Sequence, residues 1–196
     1  MKNSTIDYYN TNAEKFVNDT VNVEFTDIQD KFISKLYSGA MILDFGCGSG
    51  RDTKYFISRG YQVDAIDGSK ELCKIATEYT GIEVKNIYFE DFKEQNKYDA
   101  IWACSSILHL ARNDLKNVIK NMVIALKDNG VIYTSFKYGT FEGERNGRYF
   151  TDMTEKSFNE LIHDINGVII EEYWVIGDAR PERGNEKWLN LILRKK

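Results

Sequence analysis

The spacing of apolar positions changes along the chain, and each change marks an element. Phe25, Ile28, Phe32 and Leu36 recur at helical spacing, so Val23 to Leu36 is a predicted helix, broken by Ser38 and Gly39. Ahead of it, Ile6 to Val17 reads as a weaker helix that Ser4 or Thr5 can cap. Its Tyr8, Tyr9, Ala13, Phe16 and Val17 cover more than one face. From Ala40 onward the apolar runs shorten. Ala40 to Phe45, Tyr61 to Asp67, Gly81 to Phe89, Lys97 to Cys104 and Val131 to Phe136 read as five strands. Helical segments lie between them: Asp52 to Arg59, ended by Gly60, and Ser69 to Tyr79. A longer helix carries Leu115, Val118, Ile119, Met122, Val123 and Leu126 on one face and stops at Asp128-Asn129-Gly130.

Strands and helices that alternate over short connections predict a mostly parallel sheet covered on both faces, with right-handed crossovers. The pattern changes after the fifth strand. Lys137 to Phe150 is polar and glycine-rich and reads as a loop. Thr154 to Asp164 is a helix with Thr154 as its cap. Gly167 to Ile176 and Lys187 to Arg194 are two strands joined by a polar connection, Gly177 to Glu186. With no helix between them they should pair antiparallel. No internal repeat or low-complexity linker interrupts the 196 residues, so residues 1–196 read as one domain.

One turn carries the chemistry. Met41 to Phe45 is an apolar run with one acid, Asp44, and it leads into Gly46-Cys47-Gly48-Ser49-Gly50. Glycines let the chain turn sharply and bring bare backbone near a ligand. The amides that open the next helix favour negative charge. The dinucleotide fingerprint G-x-G-x-x-G would need its third glycine where Arg51 stands. Asp44 would repel a pyrophosphate and suits an α-amino group. Asp67 follows by about 20 residues at the end of the second strand, where an acid can accept both hydroxyls of a ribose.

Leu43 to Gly50 closely resembles the first motif of class I S-adenosylmethionine (SAM)-dependent methyltransferases. The parallel sheet finished by an antiparallel hairpin resembles their architecture, so the likeness covers nearly the whole chain. It implies an α/β fold with a seven-stranded sheet in the order 3-2-1-4-5-7-6, its last strand antiparallel, with helices on both faces. Residues 1–38 would form a helical lid, 39–136 the SAM-binding Rossmann-like core, and 137–196 the substrate-side loop, helix and hairpin. The cofactor would be SAM, with S-adenosylhomocysteine as product. The resemblance assigns cofactor contacts to Asp44, Gly46, Cys47, Gly48, Gly50, Asp67, Gly68 and Ser69. It adds Asp91 for the adenine amino group, with Glu90 as a rival, and Phe92 against the ring. Ala103 and Cys104 would line the cofactor at the exit of the fourth strand, and Tyr9 would contact it from the lid.

Further along, His109 stands where small-molecule members of the family carry a histidine, as a base or a substrate contact. Packing that orders its loop is the alternative. Tyr8, Ser105, Tyr138, Arg145 and Arg148 are the candidate substrate residues. Arginine forks suit carboxylates or phosphates, which points to an anionic acceptor held by Arg145, Arg148 or Arg180. The alternative is ion pairing with Glu142, Glu144, Asp152, Asp178 and Glu182. The connection carrying Arg180 and Arg183 is expected on the far side of the sheet. No Asn/Asp-Pro-Pro-Tyr tetrapeptide follows the fourth strand, since the single proline is Pro181, and no cysteine sits beside a proline. Both absences argue against methylation of nucleic-acid bases. Trp-Ala-Cys-Ser-Ser at 102–106 and Glu-Lys-Trp-Leu-Asn at 186–190 resemble uncharacterised bacterial proteins of this class.

Composition narrows the partners. Hydrophobic residues are 42% and charged residues 29%, as in an ordinary globular protein. A net charge of −4 argues against nucleic acid as the main partner. Cys47, Cys73 and Cys104 form no C-x-x-C pair, which fits a reducing compartment, and no apolar segment is long enough to span a membrane. A cytoplasmic location is expected. Two separated histidines, His109 and His163, predict no metal site. The composition leaves oligomeric state open. The rival functions are a SAM-binding sensor or scaffold that transfers nothing, and a nicotinamide-type oxidoreductase.

Overall fold

The computed structural model describes residues 2–180, 183 and 186–196. Its main sheet contains β1 (Met41–Phe45), β2 (Gln62–Asp67), β3 (Val84–Asn86), β4 (Tyr98–Ala103), β5 (Leu126–Lys137), β8 (Val168–Gly177) and β9 (Lys187–Lys195). The strand order is β3-β2-β1-β4-β5-β9-β8, which is the expected 3-2-1-4-5-7-6. Strands β1 to β5 pair parallel, whereas β9 lies antiparallel between β5 and β8.

Side chains alternate across the sheet and feed two cores. Leu43, Phe45 and Ile101 pack beneath α6 (Arg112–Ala125) and α7 (Glu155–Ile162), meeting Leu115, Met122 and Phe158. Ile42, Trp102, Tyr133 and Ile192 pack on the other face against Phe32 of α3 (Thr26–Ile33) and Phe56 of α4 (Arg51–Ser58). Trp102 stacks on Tyr133 with centroids 4.0 Å apart. Burying both faces leaves the carboxyl ends of the strands as the open place in the fold, where α/β sheets bind ligands.

Four local expectations change. The first helix is two, α1 (Lys2–Thr11) and α2 (Ala13–Thr20). Between them, Asn12 donates its side-chain amide to the Tyr8 carbonyl (2.8 Å), and its backbone leaves the helical region. Thr5 lies inside α1 rather than capping it, and its hydroxyl accepts the Tyr149 N–H (2.9 Å). The third strand shrinks to three residues, because Asn86 turns its amide back onto the Asp67 and Gly68 carbonyls. A 3₁₀ turn, Phe89–Asp91, follows. Helix α6 stops at Ala125, so the Asn129-Gly130 stop falls inside the first part of β5, where Asn129 has φ +62°.

The largest change is at 137–150. This stretch contains a hairpin, β6 (Glu142–Arg145) and β7 (Arg148–Thr151), joined by Asn146 and Gly147 at φ +49° and +76°. Asn-Gly suits the left-handed pair that a two-residue hairpin turn needs. A short α5 (Lys70–Thr80), capped by Ser69 on the Leu72 N–H, completes the layer beside β2 and β3.

Candidate active site

Gly46 and Cys47 both donate backbone N–H bonds to the Ile66 carbonyl (2.9 and 3.0 Å), which holds the turn against the end of β2. Gly46, Gly48 and Gly50 have φ of +87°, +55° and +79°, a region costly for residues with a Cβ. A Cβ on Gly46 would also stand 2.5 Å from the Ser106 Cβ. The glycine is therefore required both by its backbone and by its closeness to the exit of β4. Asp67 faces the same turn. Its Oδ2 accepts the Gly48 N–H (3.0 Å) and its Oδ1 accepts the Ser69 N–H (2.8 Å). Each oxygen keeps lone pairs for a further donor. Burial pushes this carboxyl above its ordinary value, and the backbone N–H bonds oppose the shift.

These groups line a cavity of about 640 Å³, together with Gly68, Cys47, Cys104 and Ser105. Ser105 adopts φ +51°, and its N–H is held by the Ser135 hydroxyl (2.9 Å). Burial pushes the Cys104 thiol up to about 12 and the Cys47 thiol well above its ordinary value, so neither is a ready nucleophile.

Several expected contacts lie elsewhere. Asp44 is buried beneath the turn, off the cavity wall, and accepts the Thr53 hydroxyl (2.6 Å). Burial, followed by the neighbouring Asp52 carboxylate, pushes Asp44 up toward its neutral form. Asp52, not Asp44, joins Asp67 on the wall at this end. It accepts Gln29 Nε2 (2.7 Å), Arg51 Nε (2.8 Å) and Trp102 Nε1 (2.8 Å). The sequence signal that could have found it is its position in the first turn of the helix after the glycines.

The 3₁₀ turn similarly changes which acid faces inward: Tyr88, Phe89 and Glu90 line the cavity, Asp91 is exposed outside it, and Phe92 is core, edge-on to Phe45. Phe89 stacks on Phe45 at 4.7 Å. Ser69 and Ala103 are fully buried and off the wall, the former as a helix cap.

At the other end stands His109. Its Nδ1 lies 2.6 Å from the Tyr149 carbonyl, which can only accept, so Nδ1 carries the proton. The bare Nε2 then accepts the Tyr9 hydroxyl (2.9 Å). Burial holds this imidazole at about 4, and Arg148 and Lys137 also disfavour its charged form. The lone pair that a base would use is already engaged by Tyr9. Of the candidate substrate residues, Ser105, Arg145 and Arg148 line the cavity. Tyr8 lies behind Arg148, whose guanidinium carbon is 4.4 Å from its ring centroid. Tyr138 points away and donates to Glu155 (3.0 Å).

The β8–β9 connection corrects another expectation. Asp178, Arg180, Arg183 and Glu186 line the cavity rather than lying on the far side. Arg180 forks onto Asp178 (2.8 and 2.7 Å), Lys137 pairs with Glu186, and Arg145 pairs with Asp152. Pro181 and Glu182 lie outside the described residues. Among the described residues no cluster of metal-ligating side chains occurs, and no helix is long and apolar enough to cross a membrane.

A methyltransferase domain family matches residues 42–130, from the glycine strand to the start of β5. An "Uncharacterized methyltransferase" of Staphylococcus carnosus is 26% identical over 90% of this chain and 87% of its own length. Residues 42–130 are thus a methyltransferase domain, and the likeness to methyltransferases extends over nine-tenths of the chain. The "Probable S-adenosyl-L-methionine-dependent methyltransferase TehB" of Haemophilus influenzae is 31% identical over 83% of the chain, which spans 60% of that protein. The 1,6-didemethyltoxoflavin-N1-methyltransferase of Burkholderia thailandensis, solved with 1,6-didemethyltoxoflavin and S-adenosylhomocysteine bound, shares the methyltransferase fold. It superposes with a TM-score of 0.77 at 18% identity, over 97% of this chain and 85% of its own. The methyltransferase's cofactor is therefore SAM, and the residues around the glycine turn fit it. Gly46 permits the tight approach, and Asp67 presents two part-buried oxygens, each held by one backbone N–H.

Proposed function

We propose that the enzyme transfers the SAM methyl group to an O, N or S atom of a small molecule bearing an anionic group. The observation that carries this reading is a single cavity with two chemically different ends. Asp67, Gly48, Gly68 and the backbone of Cys47 form one end, suited to ribose hydroxyls and the methionine portion of the cofactor. Phe89 offers a ring face, and Glu90, which lines the cavity where Asp91 does not, is the acid we assign to the adenine amino group. Arg148, Asn146 and His109 form the other end, where the acceptor binds. The Arg148 charge there favours an anionic group on the acceptor, and the net charge of −4 argues against a nucleic acid.

Bound SAM supplies an already activated methyl group, so the protein performs little covalent chemistry. Its residues must hold the acceptor atom in line and keep water out. Within residues 1–38 the lid is α1 and α2: Tyr9 and Phe16 close over the cavity, and Asn10 is tied to the Ser69 hydroxyl (2.7 Å), while α3 packs on the sheet. Residues 39–136 hold the cofactor, and 137–196 supply the β6–β7 hairpin on the acceptor side. His109 positions Tyr9 and stays neutral. Three free cysteines support a cytoplasmic setting.

Calorimetry with SAM, S-adenosylhomocysteine and NAD tests the cofactor, and heat with NAD alone would refute the assignment. An acceptor screen with labelled methyl, split between anionic and neutral compounds, tests the rest. Tight SAM binding with no transfer to any compound would favour a sensor or scaffold.

A further inference from the structure

Arg148 opens β7, directly after the Asn146-Gly147 turn. Among the described residues its guanidinium has no carboxylate partner, whereas Lys137, Arg145 and Arg180 each have one. Its Nε is buried without a hydrogen-bond partner. Tyr8 backs the guanidinium, and its carbon lies 5.2 Å from the Phe150 ring and 5.9 Å from the Tyr9 ring. Those two rings continue along the cavity wall through His109, which meets Phe150 at 4.8 Å and Tyr9 at 5.5 Å. One guanidinium without a carboxylate partner therefore stands at the end of a wall of packed rings that lines the cavity.

An unpaired guanidinium in partial burial is stabilised most by a planar anion that accepts a two-pronged hydrogen bond. Rings that already meet edge-on favour a flat partner over a puckered one. Resting on the proposed function above, we infer that the methyl acceptor is a planar aromatic carboxylic acid. Its carboxylate would sit on Arg148 and its ring would lie against the packed wall that Tyr9, His109 and Phe150 form.

The test is calorimetric, with benzoate, benzamide, cyclohexanecarboxylate and inorganic phosphate titrated into the full chain with and without S-adenosylhomocysteine. Benzoate should bind about tenfold or more tightly than benzamide, the worth of one charge-assisted pair. It should also exceed cyclohexanecarboxylate. Arg148→Gln should weaken benzoate about tenfold while leaving S-adenosylhomocysteine affinity unchanged, and Arg148→Lys should fall between. Phe150→Leu should remove the preference for the flat ring and keep that for the charge. Phosphate binding more tightly than benzoate, benzamide binding equally, or an Arg148→Gln protein that keeps benzoate affinity would each overturn the inference. Benzoate binding without S-adenosylhomocysteine binding would strike the cofactor reading alone.

Discussion

His109 offers the sharpest test, because its tautomer and its charge both follow from two hydrogen bonds. The imidazole is held at about 4 against an ordinary 6.5, chiefly by burial. In the unfolded chain it protonates first as pH falls. The neutral native form therefore contributes stability in full above pH 6.5, and this is lost as pH falls from 6.5 to 4. At pH 5 the loss is about 2 kcal/mol, from about 1.4 kcal/mol per pH unit. Urea unfolding at pH 7 and pH 5 should show that loss in the parent protein. His109→Gln should lack it, with the other titrating groups cancelling in the comparison. The chain has two histidines, so nitrogen-15 spectra contain two imidazoles, and the exposed His163 is identified by substitution. The His109 ring should show a protonated Nδ1 and stay neutral at pH 5. A midpoint near 6.5, a protonated Nε2, or equal pH slopes for the two proteins would refute the reasoning, and a free base at His109 would return to consideration.

Gly46→Ala combines a left-handed backbone, costing about 1–2 kcal/mol, with a Cβ 2.5 Å from the Ser106 Cβ. The variant should lose about 3 kcal/mol by chemical denaturation, and a parent-like midpoint would show that the turn relaxes. Asp67→Asn replaces one acceptor facing two N–H groups with a donor, so SAM affinity by calorimetry should fall at least about tenfold; an unchanged value would remove Asp67 from the ribose site. Trp102→Phe deletes the indole bond to the buried Asp52 (2.8 Å) and should cost about 1–3 kcal/mol in unfolding free energy, a prediction that fails if stability is unaltered.

The sheet could be read from the chain because parallel strands buried on both faces leave continuous apolar runs, and Leu43 to Gly50 is a local motif. The β6–β7 hairpin was also signalled, by Asn146-Gly147, but Arg145, Arg148 and the surrounding polar residues masked its strands. The acids were harder. Glu90 and Asp91 are neighbours, and a 3₁₀ turn of three residues decides which faces the cavity. Asp44 and Asp52 exchange places as wall and support because Trp102 and Gln29, distant in the chain, grip Asp52.

The order of residues by itself determined the run of strands and helices and the glycine turn, which depend on apolar period and local backbone preference set by neighbours in sequence; the strand order and the cofactor followed from the resemblance those residues carry. Only the tertiary structure decided the state of His109. Its tautomer depends on a carbonyl at Tyr149 and its occupied lone pair on a hydroxyl at Tyr9, brought together from β7 and α1. The free charge of Arg148 is likewise a tertiary fact, since it rests on which carboxylates the other cations have taken.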